Sequence, residues 1–213
     1  MKSAGNDIVA LNVIDKQRTC QPVFYSKFIT PFELALYHQP QMAFEIFVWL
    51  LWSVKESAYK YLKRGDANLV FSPSKIIVQD IEVSREFRSD RWEGDQSVGM
   101  FFKGNVLYDT HTLYFKSIIY DEFVATVVNG ENNFQYVYWG VQLIDKSDSV
   151  SQSENVRLFV LNKLNSLFPN YALSIDKGPA GYPILFNDGK EMDIPISFSH
   201  HNRYVSYSFL NLK

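Results

Sequence analysis

Apolar residues follow a helical period in the first third of the chain. An apolar run that contains no Gly or Pro leads into residues 52–60, where polar side chains return at intervals of three and four. This pattern predicts one helix over residues 42–62. Arg64 in the last turn and Gly65 just after it are typical of a helix end.

Most of the remaining chain alternates apolar and polar residues, which predicts strands. The exception is a second helix over residues 154–167, with Ser153 as its N-cap. The charged segment 84–96 is predicted to be an exposed loop. The predicted strands cover residues 8–14, 74–83, 98–102, 106–108, 112–119, 122–128, 134–144, 174–186 and 194–209.

A capping box precedes the first long helix. Thr30, Pro31 and Glu33 place a hydroxyl, an N1 proline and a carboxylate at the spacing that begins a helix. A short helix is therefore predicted from this point to about Tyr37.

Two pairs of stretches resemble each other and divide the chain into halves. Residues 140–144 align with residues 5–9, and residues 197–205 align with residues 117–124. A turn cluster at residues 129–133 lies between the copies. We therefore expect an α+β fold of two similar α/β halves, 1–130 and 131–213, each running strand, helix, antiparallel strands.

The face of the first long helix carries the first candidate chemistry. Trp52, Glu56 and Lys60 are spaced i, i+4, i+8, so one helix face presents a carboxylate beside an ammonium. On spacing alone, an ordinary surface ion pair is the commoner explanation of such a pair.

The composition of the chain argues against several classes of function. A net charge of −2 excludes the basic field that nonspecific nucleic-acid binding requires. The single cysteine, Cys20, excludes a disulfide framework and favours a reducing, cytoplasmic setting. The apolar run before Trp52 is shorter than the roughly 20 residues of a membrane span, and the first 15 residues lack the pattern of a signal peptide. Neither a nucleic acid nor a membrane is expected as a partner.

Residue types, and not spacing, point to one family. Residues 52–60 (WSVKESAYK) resemble the W-x-x-K-E-[AS]-x-x-K signature of the 4'-phosphopantetheinyl transferase superfamily. Residues 5–9 (GNDIV) are similar to the family's G-[IV]-D-[IL]-[VE]. Residues 181–183 (GYP) and 196–200 (ISFSH) are similar to its G-[KR]-P and [IL]-S-[IL]-S-H. The order of these motifs is that of holo-acyl-carrier-protein synthases, whereas the chain length is that of the pseudo-dimeric surfactin-synthetase-activating type.

The resemblance implies a reaction and a site. Members of the family move the phosphopantetheine arm of coenzyme A (CoA) onto a carrier-protein serine and release 3',5'-ADP. The resemblance also implies Mg²⁺ held by the carboxylates of Asp7 and Glu56, a phosphate contact from Lys60, and proton acceptance by Glu56. The CoA wall that it implies comprises Lys177, Gly181, Tyr182, Pro183, Ser197, Ser199 and His200.

Two departures from the family pattern limit this picture. Val9 and Ala10 stand where relatives have an additional acid, so two protein ligands are assigned to the metal. Tyr182 replaces a basic residue, and either Lys177 supplies the lost cation or the Tyr182 ring packs on adenine. The partners implied are CoA and an acyl or peptidyl carrier protein of fatty-acid, polyketide or peptide synthesis.

The resemblance leaves alternatives open. A pseudo-dimer with both walls in one chain is expected to act as a monomer. A catalytically weak relative that binds CoA or a carrier protein without transfer is the alternative, motivated by the missing acid. A thioesterase or acyltransferase that uses His200 is a weaker one, because it leaves the helix signature unexplained.

Overall fold

The computed structural model describes residues 3–38, 42–84, 92–94 and 99–211. Its α-helices are α1 (Lys16–Thr19), α2 (Pro22–Tyr25), α3 (Pro31–Ala35), α4 (Phe44–Lys63) and α5 (Ser149–Leu167). Its strands are β1 (Gly5–Ala10), β2 (Ile76–Val78), β3 (Glu82–Val83), β4 (Trp92–Glu93), β5 (Met100–Tyr108), β6 (His111–Ile119), β7 (Phe123–Asn129), β8 (Val137–Leu143), β9 (Leu173–Lys177), β10 (Pro183–Asn187), β11 (Lys190–Glu191), β12 (Ile196–His201) and β13 (Tyr204–Leu210). None of the helices described is long and apolar enough to cross a membrane.

Both halves of the chain build the same arrangement of strands. The first sheet has the order β1-β7-β6-β5-β2, with β3 also on β5, and the second has the order β12-β13-β8-β4. A third, small sheet has the order β11-β10-β9. In each half the first strand pairs with the last strand, which pairs with its own hairpin partner: β1-β7-β6 and β8-β13-β12. The expected α+β fold is confirmed; the boundary at residues 130 and 131 stays a prediction.

Helix α4 is held against β1 by a close backbone approach. A Cβ on Gly5 would lie 2.2 Å from the carbonyl oxygen of Ser57 and 2.8 Å from the amide nitrogen of Tyr61, so only glycine fits there. This contact sets β1 directly beneath the turn of α4 that carries Lys60. The glycine of the first motif therefore fixes the distance between strand and helix.

A buried ion pair anchors the other side of α4. The capping box begins α3 as predicted, with the Thr30 hydroxyl accepting from Glu33 N–H. Glu33 Oε1 lies 2.6 Å from Lys55 Nζ, and both side chains are fully buried. Lys55 also donates to the carbonyl oxygens of Pro73 (2.9 Å) and Ile76 (2.6 Å). Since an ammonium has three protons, these three acceptors satisfy it, although burial lowers the pKa of Lys55.

Several predicted elements differ from those observed. The first strand begins at Gly5 and gives way at Leu11 to a short 3₁₀ turn, so Asp7 lies inside the strand and not at its entrance. Asp148 and not Ser153 caps α5, because the Asp148 carboxylate accepts from Ser151 N–H and lengthens the helix by a turn.

Five predicted strands divide or join in the structure. Segments 74–83, 174–186 and 194–209 each form two strands, and segments 98–102 and 106–108 join as β5. The predicted loop 84–96 is partly wrong, because Trp92 and Glu93 form β4. Residues 85–91 and 95–98 lie outside the described residues.

Candidate active site

Side chains of α4 at helical spacing face an open groove, while its other faces are buried. Trp49, Trp52, Glu56, Lys60 and Lys63 are partly exposed along this face. Lys55 and Ser57 point into the core instead. Of the two lysines in the signature, Lys55 thus supports the fold, whereas Lys60 faces solvent.

Two carboxylates converge on Lys60. Its Nζ lies 3.1 Å from Asp7 Oδ1 and 3.9 Å from Glu56 Oε1, and it also donates to the carbonyl oxygen of Asn6 (3.0 Å). Asp7 is nearly buried, with 6% of its surface exposed. Burial raises the pKa of Glu56, Lys60 partly opposes that rise, and Asp7 adds to it. A further cation in the groove would therefore favour the ionised form of Glu56.

Strand β12 from the second half meets β1 through side chains and not through a backbone ladder. Asn6 N–H donates to Ser197 Oγ (3.3 Å), Ile8 N–H to Ser199 Oγ (3.2 Å) and Ala10 N–H to His201 Nδ1 (2.9 Å). We call these three contacts the side-chain ladder. They satisfy the unpaired donors on the outer edge of β1.

The two neighbouring histidines point in different directions, as alternation along a strand requires. The His201 Nδ1 is a ladder acceptor, and its partly exposed ring also lines the groove, whereas His200 is more exposed and lines more of it. Burial lowers the pKa of His200, and Lys60 lowers it further. Burial also lowers the pKa of His201. Both rings are therefore favoured in the neutral form.

The groove consists of two adjoining cavities. The first, of about 410 Å³, is the basic pocket; the described part of its lining carries five Lys and Arg side chains and no carboxylate: Lys60, Lys63, Arg64, Arg157 and Lys177. The second, of about 480 Å³, is the carboxylate pocket; it contains Asp7, Glu56, Trp49 and Trp52. Lys60, Phe198 and His200 line both cavities. Charge thus changes sign along one groove.

The loop between β9 and β10 closes one side of the basic pocket. Gly181 has φ = +91°, and its N–H donates to the carbonyl oxygen of Gly178 (2.9 Å). Next to it, the Tyr182 ring lies 4.4 Å from the Arg64 guanidinium carbon. Arg64 also donates to the carbonyl oxygens of Pro183 (2.8 Å) and Ile196. A cation at the C-terminal end of α4 therefore stands beside the tyrosine that replaces the family's basic residue.

Most residues singled out in the sequence lie around the groove. Asp7, Glu56, Lys60 and His200 line the carboxylate pocket, and Lys177 is at the rim of the basic pocket. Ser197 and Ser199 also touch the cavities, but each is only 5% exposed and its hydroxyl is engaged in the ladder. A CoA contact from these serines stays a prediction.

Other residues of the groove were not singled out from the sequence. Lys63 and Arg64 continue the face of Lys60 at i+3 and i+4, a signal that the helical spacing contained. Arg157 comes from α5 in the other half, and no spacing in the sequence links it to α4.

Comparison with known families agrees with this geometry. The model of the 4'-phosphopantetheinyl transferase superfamily matches residues 3–127, more than half of the chain. The chain belongs to this superfamily. The match includes Asp7, Glu56 and Lys60 and ends before the second wall of the groove. No curated protein and no solved structure matches the chain significantly.

Membership in the superfamily gives the protein a general chemistry, phosphopantetheinyl transfer. The described residues contain no cluster of three or more His, Cys, Asp or Glu side chains able to hold a metal ion. Asp7 and Glu56 are two carboxylates beside one cation, a donor set that suits Mg²⁺, since this ion takes one or two carboxylates and completes its shell with phosphates and water. The residues present therefore fit the divalent metal that the superfamily implies.

Proposed function

We propose that the protein transfers the 4'-phosphopantetheine arm of CoA to a serine of an acyl or peptidyl carrier protein, with Mg²⁺, as a holo-acyl-carrier-protein synthase does. The observation that carries this proposal is the change of charge along the groove: a basic pocket and a carboxylate pocket that meet at Lys60 and His200. CoA has charged groups in the same order. The phosphates of its 3',5'-ADP portion lie at one end, and the reacting phosphorus lies between that portion and the thiol arm.

The basic pocket suits the 3',5'-ADP portion of CoA. Its Lys and Arg side chains offset phosphate charge, and the rings of Tyr59 and Tyr182 offer apolar faces to a base. Arg64 is held by two backbone carbonyls and lies over Tyr182, so its position is set before a ligand arrives. We assign Lys177, Gly181, Pro183 and His200 to the same wall.

The carboxylate pocket suits the reacting centre. Asp7 and Glu56 would hold Mg²⁺, which when bound supplies positive charge to the pyrophosphate. Lys60 lies where the two pockets meet and can donate to a phosphate oxygen as well as to Asp7. Glu56 lies in the same pocket and is the group that we assign to accept the serine proton, directly or through water.

The reaction balances with these groups. The carrier serine oxygen forms a bond to the β-phosphorus of CoA, and the bond from that phosphorus to the bridging oxygen breaks. The serine proton passes to Glu56, directly or through water, and 3',5'-ADP leaves with the bridging electrons. The protein forms no covalent intermediate; it positions the reactants and offsets charge.

Both walls of the groove come from one chain, which supports a monomer with one active site. Asp7, Glu56 and Lys60 belong to the first half, and Arg157 and His200 to the second. A cytoplasmic setting, expected from the single and exposed Cys20, is part of the same proposal.

The test is transfer to apo carrier proteins. Fatty-acid, polyketide and peptide-synthesis carriers are each incubated with CoA and Mg²⁺, and intact mass is measured. We expect at least one carrier to gain the mass of one phosphopantetheine, and the Glu56→Gln variant to add none under the same conditions. Binding of CoA without mass gain on any carrier would overturn the transferase and favour a CoA-binding relative.

A further inference from the structure

We propose that Ser199, on β12 of the second half, is a positioning residue that sets the orientation of the Asp7 carboxylate for the metal. This inference rests on the proposed function. It gives Ser199 a different role from the CoA contact that the family resemblance implies. The second half would then act on the metal site as well as on CoA.

The direction of each hydrogen bond at Ser199 is fixed by its partners. Ile8 N–H can only donate, so the hydroxyl oxygen accepts there, at 3.2 Å. The Asp7 carboxylate accepts, so the hydroxyl proton points to Oδ1, at 2.8 Å. One hydroxyl therefore fixes both the backbone after Asp7 and one oxygen of its side chain.

The Asp7 carboxylate is asymmetric as a result. Oδ1 accepts from Ser199 and from Lys60 (3.1 Å), whereas Oδ2 accepts no hydrogen bond from the residues that the structure describes. Oδ2 is thus the oxygen whose lone pairs a metal ion can use. A ligating carboxylate held by a second hydrogen bond loses less conformational freedom when it binds, which raises metal affinity.

The other two contacts of the ladder lack this link. Ser197 and His201 accept from Asn6 and Ala10, but neither has a hydrogen bond to Asp7. Since all three contacts hold β12 against β1, their loss should weaken the junction of the halves in a similar way. Only the loss of Ser199 should also remove a hydrogen bond from Oδ1, which then accepts from Lys60 alone.

The experiment compares Ser199→Ala with Ser197→Ala, because Ser197 lines only the basic pocket whereas His201 lines the carboxylate pocket. Metal binding is measured by calorimetric titration of Mn²⁺ into protein that is saturated with 3',5'-ADP, so that no turnover is needed. We expect the Ser199→Ala variant to bind Mn²⁺ about tenfold more weakly, in line with losses of supporting hydrogen bonds at metal ligands. The Ser197→Ala variant should bind Mn²⁺ as the wild type does, while both variants show a lower melting temperature.

Two further measurements make the result decisive. Ser199→Thr keeps the hydroxyl and should restore most of the Mn²⁺ affinity, and it serves as the test if Ser199→Ala does not fold. Weaker 3',5'-ADP or CoA binding with unchanged Mn²⁺ affinity would overturn the proposal and return Ser199 to the CoA wall. A wild type that binds Mn²⁺ but modifies no carrier would refute the proposed function and leave this inference standing.

Discussion

The two first strands, β1 and β8, occupy equivalent places in their halves but their outer edges differ. The edge of β1 is held by side chains of β12, and Asp7 remains beside an open groove. The edge of β8 is paired in parallel with the backbone of β4, at Trp92 and Glu93. One edge borders the candidate site, whereas the other is covered by a paired strand.

Residue types at the two edges agree with this difference. Gln142 stands where the internal alignment places the counterpart of Asp7, and it is exposed. A Cβ on Gly140 would lie 2.7 Å from the carbonyl oxygen of Glu93, so the absence of a side chain here lets β4 approach closely. At Gly5 the same absence lets α4 approach. Glycine therefore permits the close approach of a helix in the first half and of a covering strand in the second.

The largest expected effect separates Asp7 from Gln142. The Asp7→Asn variant should lose transfer activity by about a hundredfold or more, because an amide lacks the charge that the reacting centre requires. The matched Gln142→Asn variant should stay within about twofold of the wild type. Initial rates of carrier modification, with circular dichroism to confirm folding, measure both. Wild-type turnover by Asp7→Asn would remove Asp7 from the mechanism.

A smaller effect is expected where β4 closes the second edge. The buried Tyr207 hydroxyl donates to Glu93 Oε2 at 2.6 Å. The Tyr207→Phe variant should lower the free energy of unfolding by about 1–2 kcal/mol, since Glu93 then loses a hydrogen-bond donor. Urea unfolding measures the loss.

The same variant also tests whether β4 conceals a second site. Calorimetric titration should find one CoA per chain in both the wild type and the Tyr207→Phe variant, because Gln142 offers no charge to a metal. Two CoA molecules per chain in either protein would contradict a single site.

The two histidines of β12 give the next contrast. The His200→Ala variant should raise the KM for CoA by about fivefold with little change in kcat, because a contact made before and during reaction is uniform binding. The His201→Ala variant should leave that KM unchanged and lower the melting temperature, since Ala10 N–H loses its acceptor. Steady-state kinetics and thermal unfolding separate the outcomes, and the reverse pattern would exchange the two roles.

The sequence predicted the placement of candidate site residues that lie on one element. Glu56 and Lys60 share a helix face because their spacing is local, and the long helix itself was predicted to within two residues at each end. Asp7 joined them only through family resemblance. The helical period also contained Lys63 and Arg64, which continue the same face.

Features that join distant elements were not predictable. The partner of Lys55 is Glu33, 22 positions earlier, and only the packed fold shows that this lysine of the signature is buried. The side-chain ladder joins residues about 190 positions apart. Strand β4 was assigned to a loop because its two residues are too short for a periodic pattern. Such contacts depend on tertiary packing, which local periodicity does not encode.

The smallest expected effect is a loss of stability in mild acid. His201 Nδ1 accepts from Ala10 N–H, so it must be unprotonated, and its folded pKa lies below the ordinary 6.5. A histidine with a depressed folded pKa contributes stability that is complete above 6.5 and is lost as the pH falls from there through the folded value. His200 loses its contribution to stability over a similar pH range, since its pKa is also lowered.

Melting temperatures at about pH 7.5 and about pH 5.5 test this contribution. The wild type should lose the most on acidification. His201→Ala and His200→Ala should each lose less, and His201→Ala alone should already melt lower at the higher pH. The nearby charges of Asp7 and Lys60, and the raised pKa of Glu56, are common to all three proteins, so differences between them isolate the imidazoles. If His201→Ala followed the wild-type pH dependence, the ladder histidine would not be the group that titrates, and the junction of β1 with β12 would be insensitive to acid.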